Sequence, residues 1–154
     1  MSKELYFLRS SEQKIVIDMF KLAHPNSDEL LKYTEYYGLT TKDLGLYAMV
    51  DNEIAGAIWS RKLHPDEPPR LSVAVVPKFK RTGVGIFMMD QFLQEAGAVY
   101  EEICIDISHK PKAIKFYEKY GFEKINDSFL LSKKLEKKEV FRPTDGYDFS
   151  RWIE

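Results

Sequence analysis

The chain reads as a mixed α/β protein, a layered sheet with helices on both faces, in the order β-α-α-β-β-β-α-β-α-β(β). Three stretches carry that expectation. Residues 44–61 hold two apolar runs joined at Asp51-Asn52, a tight-hairpin signal. Residues 71–89 pass from an apolar run through Pro77 and a basic, glycine-bearing turn into helical periodicity. Residues 102–120 pass from alternation, with Ile103, Ile105 and Ile107 on one face and Cys104 and Asp106 on the other, into a second helical pattern.

The remaining elements follow in order. Leu5 to Leu8 is a short first strand. Ser10 and Gln13 form a capping box for a first helix that buries Val16, Met19, Phe20 and Ala23. Asn26 to Glu29 form another, and Gly38 is a fitting stop for a second helix rich in tyrosine (Tyr33, Tyr36, Tyr37). Residues 63–69 are a proline- and acid-rich loop, expected to be mobile. Arg70 to Val76 is the strand before the basic turn. Gly83 to Ala98 is a helix with Ile86, Met89, Leu93 and Ala96 inward. Lys112 to Tyr120 is a helix whose Ala113, Phe116, Tyr117 and Tyr120 share one face, with Pro111 in the first turn and Gly121 just past the end. Phe122 to Leu135 supplies one or two last strands with a turn near Asn126-Asp127. The whole is read as one domain over residues 1–154, with 140–154 an aromatic tail carrying Phe141, Tyr147, Phe149 and Trp152.

Composition narrows the function classes. The 154 residues are 44% hydrophobic and 31% charged, which are globular values, with a net charge of −1 that offers no whole-molecule attraction to nucleic acid or an anionic membrane. The lysines at 133, 134, 137 and 138 are diluted by Glu136 and Glu139 and read as a solvated strand end. Cys104 is alone, so there is neither an internal disulfide nor a cysteine zinc site, and the three histidines share no metal-ligand spacing. No stretch has the length or apolarity of a membrane span or a leader peptide, so a cytoplasmic setting without bound metal is expected.

The most informative segment is Leu71 to Met89, LSVAVVPKFKRTGVGIFMM. A strand, a basic turn and a helix N-terminus form a phosphate-binding layout, because the first-turn N–H groups have no intrahelical acceptor and the helix dipole favours an anion. Gly83 and Gly85 let a ligand approach the backbone, and Lys80 and Arg81 add positive charge. Neither G-x-x-x-x-G-K-[ST] nor G-x-G-x-x-G is present, so the turn is neither a nucleoside-triphosphate loop nor a dinucleotide fingerprint.

What is present is K-x-x-G-x-G, from Lys80 to Gly85. It resembles the acetyl-CoA motif Q/R-x-x-G-x-G/A of the GNAT (Gcn5-related N-acetyltransferase) superfamily, with Lys80 where Gln or Arg is usual. Ala113 to Phe122, AIKFYEKYGF, is similar to the A-x-x-F/L-Y-x-x-x-G-F helix that follows that turn in the same superfamily. The two matches cover the second half of the chain; the first half agrees in element order only.

The resemblance implies transfer of an acetyl group from acetyl-CoA to a primary amine, a small molecule or a peptide, by direct attack in a ternary complex. It implies that Val73, Ala74 and Val75 pair with the pantetheine arm, between strands splayed at Arg70–Val76 and Glu102–Ser108. It implies that Lys80, Arg81, Thr82, Gly83, Val84, Gly85 and Ile86 hold the pyrophosphate, and that Tyr117 protonates the leaving thiolate. A phenol, with a pKa of ~10, suits that step; from periodicity alone, Tyr117 reads as a core tyrosine. Two departures stand out. Arg70 occupies a position where relatives often carry a Glu base, which leaves Glu67, Asp66, His64, Asp106 or water as alternatives. Lys110 replaces a usual Asn and either reaches a cofactor phosphate or leaves capping to Ser108. Tyr36 and Glu67 are candidate acceptor contacts. The tail would cover the acceptor cleft or join a homodimer. The rival functions are acetylation of a protein N-terminus or lysine, a non-catalytic acyl-CoA-binding module, and an unrelated nucleotide-phosphate binder.

Overall fold

The structure, a computed structural model, describes residues 3–8, 13–23, 44–62, 66–108 and 110–136. The expected second helix with Tyr33, Tyr36 and Tyr37, the Ser10 cap, His64, and the 140–154 tail lie outside the described residues. So do the side chains of Val16, Phe20 and Ala23 within the first helix.

Among the described residues, seven strands form one sheet in the order β1-β2-β3-β4-β5-β7-β6. They are β1 (Lys3–Phe7), β2 (Leu44–Val50), β3 (Glu53–Arg61), β4 (Arg70–Val75), β5 (Glu102–Asp106), β6 (Glu123–Lys124) and β7 (Leu130–Lys134). Every pairing is antiparallel except β4 with β5. The β2–β3 hairpin turns at Asp51 (φ 49°) and Asn52 (φ 69°), two left-handed residues of the kind a two-residue hairpin needs. β6 and β7 are the two last strands, and Asn126 (φ 57°) lies in the turn between them.

Helices cover both faces. On one face α1 (Gln13–Ala23) sets Met19 against Ala57, Trp59 and Ala74. On the other, α2 (Val84–Ala96) packs Val84, Met88, Met89 and Phe92 against Leu46, Ile58 and Leu71. The alternation in β3 changes phase at a bulge. Ala48 pairs with Gly56 but Met49 with Ile54, so Ala55 is an extra residue. That shift lets Ala55 and Ile58 face α2 while Ala57 and Trp59 face α1.

The inward face of α2 differs from the sequence expectation. Met89 and Ala96 are buried, but Ile86 is 54% exposed. The stretch is apolar on several sides, and packing against the sheet selects which of them is buried. Glu95 rather than Leu93 completes the fully buried stripe. The second expected helix is shorter than its periodicity suggested: a 3₁₀ turn, Pro111–Ala113, runs into α3 (Ile114–Glu118). It ends at Gly121 (φ 90°), where Phe122 N–H donates to Tyr117 O at 3.2 Å, a Schellman closure. That closure fixes the backbone of Tyr117.

Candidate functional site

The site begins where β4 and β5 separate. The two strands share one bridge, Arg70 opposite Cys104, closed by Cys104 N–H donating to Pro69 O at 3.0 Å. Beyond it no ladder pair joins them, so the edge of β4 from Val73 onward faces open space. Arg70 lies at the closed end, with Glu67 at 3.7 Å and Asp106 at 3.9 Å.

Past β4 the chain makes a tight, strained turn. Pro77–Phe79 is a 3₁₀ turn, Arg81 has φ 65° and Gly83 φ 88°. A left-handed arginine costs about 1 kcal/mol or more and persists where the surroundings dictate it. Thr82 braces the turn by donating its Oγ1–H to Phe79 O at 2.5 Å. The first intrahelical bond of α2 runs from Phe87 N–H to Gly83 O, at 3.0 Å. The N–H groups of Val84, Gly85 and Ile86 therefore have no acceptor inside the helix.

Open edge, turn and α3 enclose one cavity of about 560 Å³. Among the described residues its wall carries four cations, Lys80, Arg81, Lys110 and Lys112, and no carboxylate. Gly83, Val84, Gly85 and Ile86 line the same mouth, while Val73, Val75, Phe79, Ala113 and Phe116 make an apolar surface beside it. Gly85 leaves free volume there, since among the described residues an added Cβ would meet only Val75 Cγ2, at 4.0 Å. Such a wall suits a ligand with an anionic head and a long, mostly uncharged arm.

Tyr117 is the buried polar group on this wall, 7% exposed. Phe116 and Phe122 hold its ring edge-on, with centroids at 5.2 and 5.6 Å. Burial pushes the phenol well above the ordinary tyrosine value. Among the described residues its hydroxyl has no hydrogen-bond partner. A protonated donor thus lines the cavity that the cations open.

The predicted site residues are placed as follows. Val73, Val75, Lys80, Arg81, Gly83, Val84, Gly85, Ile86, Lys110 and Tyr117 come together around this cavity. Ala74 points to the opposite layer, against α1, because successive strand residues alternate. Thr82 braces the turn and does not line the cavity. Lys110 precedes the 3₁₀ turn without a side-chain cap, and the Asp106 carboxylate takes the Ser108 N–H at 2.8 Å instead. Glu67 lies elsewhere, in a second cavity of about 470 Å³ with Asp66, Glu101 and Glu102. Tyr36 lies outside the described residues. Asp106 faces both Arg70 and the Ser108 amide, which leaves it poorly placed to act as a base.

Sequence reasoning missed four wall residues, Phe79, Lys112, Ala113 and Phe116, as site residues. It also missed Gly56. A Cβ there would lie 2.6 Å from Ala74 O, so Gly56 allows β4 to sit where it does. The available signal was an isolated glycine inside a strand pattern, which marks close backbone approach. Among the described residues no group of three or more His, Cys, Asp or Glu could hold a metal, and no helix is long and apolar enough to cross a membrane.

Comparison with known proteins bears on the family and the fold. The family model described as acetyltransferase (GNAT) domain matches residues 18–131. No curated protein matches significantly in sequence. Many solved structures share the fold. An acetyltransferase of the GNAT family from Staphylococcus aureus Mu50 superposes with TM-score 0.68 at 16% identity, covering 88% of this chain and 100% of that one. The ribosomal-protein-S18-alanine N-acetyltransferase from Escherichia coli superposes with TM-score 0.64 at 14% identity, over 96% and 100%. An aminoglycoside 6'-N-acetyltransferase complexed with coenzyme A superposes with TM-score 0.62 at 13% identity, over 90% and 98%.

Proposed function

This chain belongs to the GNAT acetyltransferase family, and on that premise we propose that it moves an acetyl group from acetyl-CoA to a primary amine by direct attack. The observation that carries the reading is the single cavity in which a basic phosphate turn, an open strand edge and a buried tyrosine meet. In this reading Lys80, Arg81 and the free N–H groups at the start of α2 take the pyrophosphate. Lys110 lies close enough along the wall to add charge to the same ligand. The edge of β4 at Val73 to Val75 offers backbone partners to the amide-bearing arm. Val76 N–H is committed to Ala55 O at 2.8 Å, so a donor for the developing oxyanion has to be another amide of this stretch.

Tyr117 then serves the leaving sulfur. Its raised pKa keeps it protonated through the neutral range, ready to donate. The same shift makes complete proton transfer uphill toward a thiolate of pKa ~8.5, so its main contribution is a hydrogen bond that strengthens as charge builds on sulfur. No covalent enzyme intermediate is required. For the acceptor we propose a small-molecule amine. One similar structure is named for an aminoglycoside and another for a ribosomal-protein alanine, and an acceptor screen separates these classes. Turnover only with peptide N-termini or lysine side chains would overturn the small-molecule part.

The binding reading is tested by isothermal titration of acetyl-CoA, with ATP as control, against the wild type, Gly83→Glu and Arg81→Ala. Acetyl-CoA binds the wild type and ATP does not. Gly83→Glu loses binding, because a side chain at φ 88° is strained and its carboxylate faces the anion. Arg81→Ala, which removes charge without that strain, weakens binding. Equal affinity for ATP, or no binding of acetyl-CoA, refutes the assignment of this turn.

A further inference from the structure

We infer that Lys3, in the first strand and 79 residues from the turn, is a positioning residue for the phosphate cradle, holding the Thr82–Gly83 peptide so that its N–H serves the ligand. Lys3 Nζ donates to Thr82 O at 2.9 Å. The described chain has no cis peptide, so the C=O and N–H of that peptide point in opposite directions. Anchoring the carbonyl toward β1 therefore turns the Gly83 N–H away from β1. Gly83 lines the cavity, and among the described residues its N–H has no acceptor.

The rest of the turn leaves this peptide to Lys3. Thr82 N–H and Oγ1–H both donate back to Phe79 O, which secures the residue before the peptide. Gly83 O takes the Phe87 N–H, which secures the helix after it. Between these two anchors the peptide plane can rotate, with Arg81 and Gly83 both left-handed on either side of Thr82. Within the described residues the ammonium of Lys3 is the group that holds its carbonyl. Gly83 also makes room for that ammonium: an added Cβ would lie 3.3 Å from Lys3 Nζ. Glycine is thus required here twice, by φ and by the cation. Lys3 does not itself line the cavity, so its effect on the ligand runs through the peptide.

This inference rests on the turn binding the pyrophosphate of acetyl-CoA, and its test keeps the two apart. The proteins are the wild type, Lys3→Met, Lys3→Arg and a control, Lys14→Met, whose side chain is 88% exposed on α1. The ligands are acetyl-CoA and S-acetylpantetheine, which lacks the phosphates. Lys3→Met is expected to bind acetyl-CoA about tenfold more weakly, the scale of a hydrogen bond from a charged group, and S-acetylpantetheine as the wild type does. Lys3→Arg restores part of the loss and Lys14→Met shows none. In ¹⁵N spectra of the free protein, the Gly83 amide resonance moves in Lys3→Met. Equal loss for both ligands, or unchanged affinity for acetyl-CoA, overturns the inference. A wild type that does not bind acetyl-CoA refutes the proposed function instead, and the latch is then judged by the Gly83 resonance alone: coincidence in wild type and Lys3→Met overturns it.

Discussion

Gly56→Ala tests whether the open edge of β4 depends on a strand that contributes nothing to the cavity wall. Gly56 sits at the β3 bulge and pairs with Val75 of β4. A methyl group there would lie 2.6 Å from Ala74 O and 3.0 Å from Met88 Cε. The methionine end can swing away. The carbonyl cannot, because it belongs to β4. An ordinary carbon–oxygen contact needs about 3.3 Å, so β4 must move by roughly 0.7 Å at Ala74. Overpacking of this kind costs about 1–3 kcal/mol, and near 150 residues each kcal/mol lowers Tm by about 2–4 °C, so a fall of roughly 6 °C is expected. The displaced peptide adjoins Val73 and Val75, whose side chains line the cavity. Acetyl transfer should therefore suffer beyond the stability loss, by roughly tenfold in kcat/KM, short of the ~10² that a full ångström of misplacement can cost. The assay is calorimetric melting together with initial rates at a temperature where the variant is fully folded. A lower Tm with unchanged kcat/KM would show that β4 does not position the thioester. An unchanged Tm would refute the steric argument itself.

Two further predictions concern the titratable groups. Tyr117→Phe should lower kcat by roughly 10²-fold, the scale for losing one hydrogen-bond donor to developing charge, and leave acetyl-CoA affinity nearly unchanged; single-turnover rates and titration check this, and full activity would remove Tyr117 from the chemistry. Stability should fall as pH rises above about 9. Burial pushes the Cys104 thiol from 9.0 up to about 11, with Arg70 partly opposing, and pushes Tyr117 up as well. The folded state then keeps protons that the unfolded chain releases, so about 2 kcal/mol is lost across pH 9–11 from the thiol. Urea midpoints at pH 8, 9.5 and 10.5 measure it, and Cys104→Ala should flatten that slope.

Much of this protein could be read along the chain because the signals are local. The Asp51-Asn52 hairpin, the left-handed Gly83 and Gly121, and the alternation of the isoleucines in β5 each depend on a few neighbouring residues. The strand–turn–helix from Leu71 to Met89 is of the same kind, and its basic, glycine-bearing pattern is the local signal behind the phosphate-ligand expectation. What was misread depended on distant contacts. Ile86 was placed inward because several faces of α2 are apolar, and only packing on the sheet selects Met88 and Phe92 instead. Glu67 looked free to meet an amine, yet the fold sets it beside Arg70, in a separate cavity from Tyr117.

The sequence by itself thus determined most of the described elements and the basic, glycine-bearing turn, since backbone preference, charge and periodicity act within one or two turns of chain. Tertiary structure alone decided that β4 and β5 part after a single bridge, that Gly56 lets the Ala74 carbonyl close in, and that Lys3 reaches Thr82. These contacts join residues separated by 18 to 79 positions, and nothing in the intervening chain encodes which atoms will meet. They are set when the two layers pack, because only burial of α1 and α2 on opposite faces brings the strands into register.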